Sequence, residues 1–351
     1  MLNGLDALNA KLSKMYSNFL DYDDYRALST KTNLNECLSF LKTKNFKDID
    51  SFSDIYEIEK YLEDYRRHEV TRLNGFLPNK YKDFMDAYLR IIDINKISKI
   101  LRFLKMNREP KVSDLVLRGR RINFKEETLS SFVDNLKGTK YYDYLKNYKD
   151  SDAEDVLFSM EMNLDKFYYL NLVESTKSFS NKDKEEFKEI FGSNIDLLNI
   201  IWINRAKIYY NISSEEIFNF TIFGGNYTSE KLLHFSYLTE EEFEREILNS
   251  RYRILFDKGR KIKTGRTAKR YLYTCCRENF RRSKGIGKFL SYLILLDFQI
   301  SNIERMLEAT RFGIDASEKL KYLIIDKEGS EEFGRWKNEN SQYNGQDWGY
   351  G

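Results

Sequence analysis

The chain has 351 residues, 41% of them hydrophobic and 32% charged, which is enough apolar material to build folded cores and excludes disorder throughout. Its 58 lysines and arginines nearly balance its 55 aspartates and glutamates, so the chain is not basic over its whole length, as many nucleic-acid-binding proteins are. With only two prolines, long helices are easier to build than many short strands. The composition therefore predicts an all-α fold.

No apolar run approaches the roughly 20 residues that a helix needs to cross a bilayer. Residues 1–14 alternate polar and apolar side chains and lack the unbroken apolar core of a secretory signal. The three cysteines, Cys37, Cys275 and Cys276, are odd in number, and two of them are adjacent, which disfavours a disulfide framework. Together these features predict a cytoplasmic chain with reduced thiols and no membrane span.

In chain order, the first strong feature is a helical segment that recurs twice more. Its copies begin at Asp93, Asp196 and Gln299, each 103 residues after the one before. Within each copy the apolar residues recur every three or four positions, which is typical of a helix packed on a core. The residues that anchor the repeat are Asp93, Lys96, Ile97 and Arg102, then Asp196, Asn199, Ile200 and Arg205, and finally Gln299, Asn302 and Ile303.

This period predicts the domain organisation. We expect three structurally similar helical repeats, at residues 1–110, 111–211 and 212–326, arranged around an approximate three-fold axis. The remaining residues, 327–351, are rich in Gly, Glu, Asn and Gln without periodicity and are expected to form a flexible tail.

Local signals add detail between the copies of the repeat. Capping boxes, in which side chains satisfy the first free amides of a helix, are predicted at 151–154 and 239–242. The stretches 111–124 and 218–227 contain glycine and β-branched residues, so they fit loops and short strands equally well.

The patterns of common catalytic, metal and nucleotide sites are missing from the sequence. The two histidines, His68 and His234, do not belong to a zinc-binding motif. The segment Gly285-Ile286-Gly287 lacks the third glycine of a dinucleotide loop, because Leu290 takes that position. We therefore expect no catalytic residue, no cofactor and no metal.

The most biased segment is 251–288, which contains fourteen lysines and arginines against Asp257 and Glu278, with aromatic residues interleaved. Three interpretations remain open. The rings could stack on RNA bases, the cations could dock an acidic protein partner, or the rings could be buried while the cations reach water. The candidate docking residues are Arg260, Lys261, Lys263, Arg266, Lys269 and Arg270.

Several motifs in a fixed order resemble the C subunit of archaeal and bacterial V-type ATPases, whose eukaryotic counterpart is the d subunit. They are the anchor segments from Asp93 to Arg102 and from Asp196 to Arg205, the run Leu164-Asp165-Lys166-Phe167-Tyr168-Tyr169, and Ser214-Glu215-Glu216-Ile217 followed by Gly224-Gly225. The resemblance extends from Tyr16 to Leu323. It departs from the family at Gln299, where an acidic residue is usual, and at Glu308, where the first two copies have arginine.

The resemblance implies an all-α funnel of three helical subdomains that is not an enzyme. Such a chain would lie in the central stalk, between the D and F shaft subunits and the cytoplasmic face of the proteolipid rotor ring. It would transmit torque for ATP-coupled H⁺ or Na⁺ transport, contact the membrane only through the complex, and bind no nucleic acid. The alternative hypothesis is a helical RNA-binding or scaffold protein that uses the basic segment 251–288.

Overall fold

The computed structural model describes residues 5–106, 114–117, 120–123, 128–151, 156–210, 212–256 and 264–325. These residues are mostly α-helical, so the predicted all-α fold class is confirmed. The tail predicted at 327–351 and the docking candidates Arg260, Lys261 and Lys263 lie outside the described residues.

The elements follow one another along the chain with short connections. The helices are α1 (Asp6–Tyr16), α2 (Tyr22–Ser29), α3 (Leu34–Thr43), α4 (Ile55–Thr71), α5 (Lys82–Tyr88), α6 (Arg90–Lys105), α7 (Leu129–Asn135), α8 (Lys140–Leu145), α9 (Val156–Ser175), α10 (Asn181–Phe187), α11 (Ser193–Tyr209), α12 (Ser214–Phe220), α13 (Ser229–Tyr237), α14 (Glu240–Leu248), α15 (Thr264–Arg282), α16 (Gly287–Arg311) and α17 (Ala316–Lys321). A π-helical turn, Lys188–Gly192, joins α10 to α11 without a break.

One of the two stretches left open by the sequence forms strands. The strands β1 (Asp114–Leu117) and β2 (Arg120–Asn123) pair in antiparallel register, with Leu115 opposite Ile122. Both of these side chains are buried, whereas Val116 is exposed, as the alternation of side chains along a strand requires. The other stretch, 218–227, contains the end of α12 and a loop.

The predicted capping box at the start of α14 is present. The Thr239 amide donates to a carboxylate oxygen of Glu242 over 2.9 Å, and the Glu242 amide donates to Oγ1 of Thr239 over 3.3 Å. This reciprocal pair satisfies two amides that the helix itself leaves without acceptors. Most of the other predicted box, at 151–154, lies outside the described residues.

The chain divides by packing into two compact units. Unit 1 consists of residues 1–69 and 244–351, and unit 2 of residues 70–243, so the divisions fall within α4 and α14. The first two copies of the repeated helix, α6 and α11, belong to unit 2, and the third copy, α16, belongs to unit 1. The predicted three-fold arrangement of three repeats stays a prediction.

Unit 1 is built around α16, which packs against α1, α2, α3, α15 and α17. Its 25 residues include a run that is almost wholly buried from Phe289 to Leu296, which no amphipathic surface helix would have. Polar side chains tie this run to α4. The Tyr292 hydroxyl donates to the Glu69 carboxylate over 3.2 Å. Burying each large apolar side chain stabilises such a core by about 1.5–3 kcal/mol.

Unit 2 is built around α9, which packs against α5, α6, α8 and α12. Beside it lies a cluster of aromatic rings, in which Phe84 meets Phe187 and Phe191 edge-on at centroid distances of 5.9 and 5.4 Å. Edge-on contacts place the positive rim of one ring on the negative face of the next, which fixes their relative orientation. The cluster thereby holds α5 against the continuous helix of α10 and α11.

None of the described helices combines the length and the apolar character needed to span a membrane. Cys37, Cys275 and Cys276 are not joined by disulfide bonds, and Cys37 and Cys276 are buried.

Candidate docking surface

The three copies of the anchor segment lie on α6, α11 and α16, so the periodicity predicted these helices correctly. The isoleucines Ile97, Ile200 and Ile303 are fully buried, each with an exposed fraction of 1% or less. Asp93, Asp196 and Gln299 are buried too. These six anchors are therefore internal, and the polar ones among them must find partners inside the protein. Of the other anchors, Lys96 is half-buried, and Arg102 and Arg205 are exposed.

Asp196 is held by the loop that follows α12. Its carboxylate accepts hydrogen bonds from the amides of Asn226 and Tyr227, over 3.0 and 3.2 Å to Oδ1. The backbone can come this close because of two glycines. Gly224 has a φ of +97°, and a Cβ at Gly225 would lie only 2.3 Å from Oδ1 of Asp196. The Gly224-Gly225 pair is therefore part of a carboxylate cradle.

The equivalent residues in the other copies find different partners. Asp93 accepts a hydrogen bond from the hydroxyl of Tyr141 over 3.1 Å. Gln299, where the first two copies have aspartate, accepts one through Oε1 from the amide of Leu20 over 2.9 Å. The three residues at this repeat position therefore bond to three different segments of the chain.

Asn199 and Asn302, which are 103 residues apart, make the same contact. The Asn199 side-chain amide donates to the carbonyl of Ile222 and accepts from its N–H, both over 2.8 Å. Asn302 bonds in the same two ways to Ile324, over 2.9 and 3.0 Å. Each pair fastens the segment after a short helix, α12 or α17, to its anchor helix. The first copy has the half-buried Lys96 at this position.

The anchor arginines of the first two copies both contact α9. The guanidinium of Arg102 forms an ion pair with Glu161, and that of Arg205 lies 5.1 Å from the ring centroid of Phe158. Burial raises the pKa of Asp165, one turn after Glu161, to about 7; the negative charge of Glu161 adds to the shift, and Arg102 opposes it.

This carboxyl group makes the stability of unit 2 depend on pH. Because the pKa of Asp165 is raised in the folded state, its contribution to stability is complete below about pH 4 and is lost as the pH rises towards 7. We expect the free energy of unfolding to fall by about 2 kcal/mol between pH 5 and pH 8 from this group. In Asp165→Asn that part of the pH dependence should vanish. Urea unfolding at both pH values measures it, and an unchanged dependence in the variant would contradict the assignment.

The docking candidates in the described part of the chain lie together on α15. Arg266, Lys269 and Arg270 are spaced three and four residues apart, so their side chains leave one face of the helix. Arg305, on the neighbouring helix α16, joins them. We call these four residues the basic face.

Desolvation and mutual repulsion destabilise the positive charges of the basic face. Desolvation lowers the pKa of Arg266, and the positive charges of Arg270 and Arg305 lower it further. Partial desolvation and the charge of Arg305 likewise lower the pKa of Lys269. Among the described residues, none of the four forms an ion pair, and the buried Nε of Arg266 has no hydrogen-bond partner. Anionic groups placed here would relieve the repulsion.

Most of the aromatic residues interleaved in this segment are buried, as the third interpretation of the sequence expects. Tyr252, Phe256, Tyr271 and Phe280 are buried to at least 96%, and Tyr252 meets Tyr271 at a centroid distance of 5.7 Å. Rings that belong to the core cannot stack on bases, so these four rings do not support the RNA interpretation. The fifth ring, Tyr273, is half-buried. The sequence could not distinguish the alternatives, because periodicity does not reveal which face of α15 is covered.

Within the described ranges, no group of three or more His, Cys, Asp or Glu side chains is placed to hold a metal ion.

Comparison with known proteins gives one consistent family. The family model for the ATP synthase (C/AC39) subunit matches residues 8–322. The C subunit of the A-type ATP synthase of Methanococcoides burtonii is 26% identical over 243 residues, which cover 64% of this chain and 66% of that protein. The proteins of the same name from Methanosphaera stadtmanae and Thermococcus kodakarensis are 26% and 24% identical, over 62% and 64% of this chain and 58% and 63% of their own lengths.

The matched regions thus span slightly less than two thirds of these relatives. The family match itself covers nearly all of the described chain, from α1 to α17, and includes all three anchor helices. The resemblance seen in the sequence motifs is confirmed, and the chain belongs to the ATP synthase (C/AC39) subunit family.

Proposed function

We propose that this chain is the non-catalytic central-stalk subunit of a rotary ATPase. In this role it connects the D and F shaft subunits to the proteolipid rotor ring and transmits torque for ATP-coupled H⁺ or Na⁺ transport. It lies at the cytoplasmic face of the membrane and contacts the membrane only through the complex. The observation that carries the proposal is the match to a family of ATP synthase subunits over residues 8–322.

A torque-bearing connector must resist deformation, and two features support that property. Close-packed helices transmit strain with little compression. The paired hydrogen bonds of Asn199 and Asn302 add directional ties that fasten the segments around α12 and α17 to their anchor helices. Because the two ties are equivalent in position, they support a common plan for the second and third anchor helices. The three helical repeats at 1–110, 111–211 and 212–326 remain part of this proposal.

The basic face is the proposed docking surface for an acidic partner within the complex. Its cations repel one another in the isolated chain, so a partner that brings carboxylates gains both attraction and relief of repulsion. Single exposed ion pairs contribute only about 0–1 kcal/mol, so several must act together. The exposed Tyr322 ring, 5.8 Å from the guanidinium of Arg266, offers an adjoining apolar contact.

Reconstitution tests the proposed function. The purified D and F shaft subunits are mixed with vesicles that contain the purified proteolipid ring, with and without this chain. We expect the shaft to sediment with the vesicles only when this chain is present. Equal sedimentation of the shaft without the chain, or none with it, would refute the connecting role.

Charge reversal tests the basic face. In the triple variant Arg266→Glu, Lys269→Glu and Arg270→Glu, we expect affinity for the shaft or the ring to fall at least about tenfold at low salt. The difference from the unaltered chain should shrink at about 0.5 M salt, where exposed charges are screened over about 4 Å.

A matched control is the triple variant Lys82→Glu, Lys182→Glu and Lys188→Glu, which changes the net charge equally at exposed positions. It should bind like the unaltered chain in a sedimentation assay. Equal losses in both triple variants would show an effect of net charge alone and would remove the assignment of the basic face.

A further inference from the structure

The described part of unit 1 ends beside the basic face. Ile324 is held on α16 by its two hydrogen bonds to Asn302, over 2.9 and 3.0 Å. Arg305 follows Asn302 by three residues on the same helix, and side chains with this spacing are neighbours on a helix surface. The ring of Tyr322 lies 5.8 Å from the guanidinium of Arg266. Two independent contacts therefore fix the end of the described chain next to the cations.

The residues that follow are strongly acidic. We call residues 326–332 the acidic segment; its sequence is Asp326-Lys327-Glu328-Gly329-Ser330-Glu331-Glu332, with four carboxylates and a single lysine. The stretch that precedes α15, residues 257–263, has the opposite bias, with four lysines and arginines against Asp257. Of these two stretches, which adjoin the basic face along the chain, the acidic segment therefore has the complementary charge.

The connection is long enough for the acidic segment to reach all four cations. An extended chain spans at most about 3.3–3.6 Å per residue, so Glu332, eight residues after Ile324, can lie up to about 26–29 Å from it. The basic face is smaller, because Arg266 and Arg270 are four residues apart on a helix that rises about 1.5 Å per residue. A short tether gives an effective concentration of the order of millimolar. At that concentration several weak ion pairs can form together, although each alone contributes little.

The charge state of the basic face favours an anionic occupant. Desolvation lowers the pKa of Lys269, and the positive charge of Arg305 lowers it further. Carboxylates placed beside the ammonium group would raise this pKa again. A segment of the same chain brings its carboxylates without the loss of translational freedom that a separate molecule undergoes on binding. The chain thus contains a ligand of the right charge at the edge of the surface.

We infer that the acidic segment binds the basic face of its own chain. Its carboxylates pair with Arg266, Lys269, Arg270 and Arg305. The inference goes beyond the proposed function, because it concerns the isolated chain and needs no other subunit. It also adds a step to docking, since an acidic partner that uses the basic face must first displace the acidic segment.

Carbodiimide coupling of the isolated full chain tests the inference. The reagent joins a lysine amine to a carboxylate that it contacts, and Lys269 is the lysine of the basic face. In peptide mass spectrometry we expect amide links between Lys269 and Glu328, Glu331 or Glu332. Their yield should be at least about fivefold lower at about 0.5 M salt, where exposed charges are screened over about 4 Å. Mixing isotope-labelled with unlabelled chains shows whether each link lies within one chain.

Two triple variants distinguish the basic face from net charge. The first keeps Lys269 as the reporter and reverses the three arginines of the face, Arg266→Glu, Arg270→Glu and Arg305→Glu. Its coupling yield should be at least about fivefold lower. The control reverses three exposed cations elsewhere in unit 1, Lys14→Glu, Lys47→Glu and Arg281→Glu. It should couple like the unaltered chain, and circular dichroism confirms the folding of both.

The reactivity of Lys269 gives a second measurement that leaves the basic face unaltered. In the variant Glu328→Gln, Glu331→Gln and Glu332→Gln, Lys269 loses the carboxylates that raise its pKa, so a larger fraction of it is neutral amine. We expect its acetylation by acetic anhydride at about pH 8 to be at least about threefold faster than in the unaltered chain. The exposed Lys14 should react at the same rate in both.

Coupling within one chain, together with faster acetylation in the glutamine variant, would support the inference. Lack of coupling at Lys269, coupling only between different chains, or equal coupling in the two triple variants would overturn it. An unchanged acetylation rate of Lys269 would overturn it as well. None of these outcomes bears on the proposed function, which is tested by reconstitution with the shaft and the ring.

Discussion

Gly225→Ala is expected to destabilise the chain by about 3 kcal/mol, because the added methyl group has no room beside a buried carboxylate. The Cβ would lie 2.3 Å from Oδ1 of Asp196 and 3.1 Å from Cγ2 of Ile195. The loop must then withdraw, and the amides of Asn226 and Tyr227 lose their acceptor. Asp196 would then be a buried charge that lacks these two donors, and this loss accounts for the larger part of the expected destabilisation. Urea unfolding followed by circular dichroism measures the loss.

Gly265→Ala is the matched control for this change. Gly265 lies in the first turn of α15, and a Cβ there would meet nothing within 4 Å. Alanine is the better helix former, so this variant should be as stable as the unaltered chain or up to about 1 kcal/mol more stable. If Gly225→Ala were as stable as Gly265→Ala, the carboxylate cradle would not have the tight geometry described.

Asn199→Leu and Asn302→Leu are each expected to cost about 2–4 kcal/mol, since each leaves a buried backbone N–H and a buried C=O without partners. Leucine branches at the same carbon as asparagine and opens no cavity, so the main effect is the loss of the paired hydrogen bonds. The damage should stay within the unit that carries the substitution. Asn199→Leu should loosen the segment at Ile222, and Asn302→Leu the segment at Ile324.

Hydrogen exchange read by mass spectrometry locates these effects. Residues 212–222 should exchange faster in Asn199→Leu, and residues 315–325 in Asn302→Leu, because local opening no longer breaks two buried bonds. Asn95→Ala, an exposed position on α6, serves as the control and should leave both segments protected. Unaltered exchange in both leucine variants would mean that the paired bonds do not hold these segments.

The anchor helices could be predicted because their signal is local. A stripe of apolar residues every three or four positions specifies a helix, and the constant spacing of 103 residues identifies its copies. The partners of the anchors could not be predicted in the same way. Gln299 is bonded to Leu20, which is 279 residues distant in the chain, and no periodicity connects the two. The secondary structure of the stretch 111–124 could not be predicted, because its residues suit both a loop and a hairpin.

The candidate docking surface was predicted in part. The sequence identified Arg266, Lys269 and Arg270 from their density of positive charge, but not Arg305, which comes from another helix and joins them only through packing. The sequence also did not show whether the interleaved aromatic rings are buried or exposed. Buried and exposed aromatic residues are indistinguishable in a segment where cations occur on every side, and only the fold shows that Tyr252 and Tyr271 belong to the core.

The division of unit 1 between the two ends of the chain has a consequence for biosynthesis. Helices α1, α2 and α3 leave the ribosome before the helix on which they pack, α16, which is made more than 200 residues later. Residues 70–243 form an uninterrupted unit and can fold while translation continues. Until α16 has been made, the N-terminal helices expose Leu8, Leu12 and Leu28, which are buried in the folded chain. Closing a loop of this length is also slow. During this interval the nascent chain is open to chaperone binding.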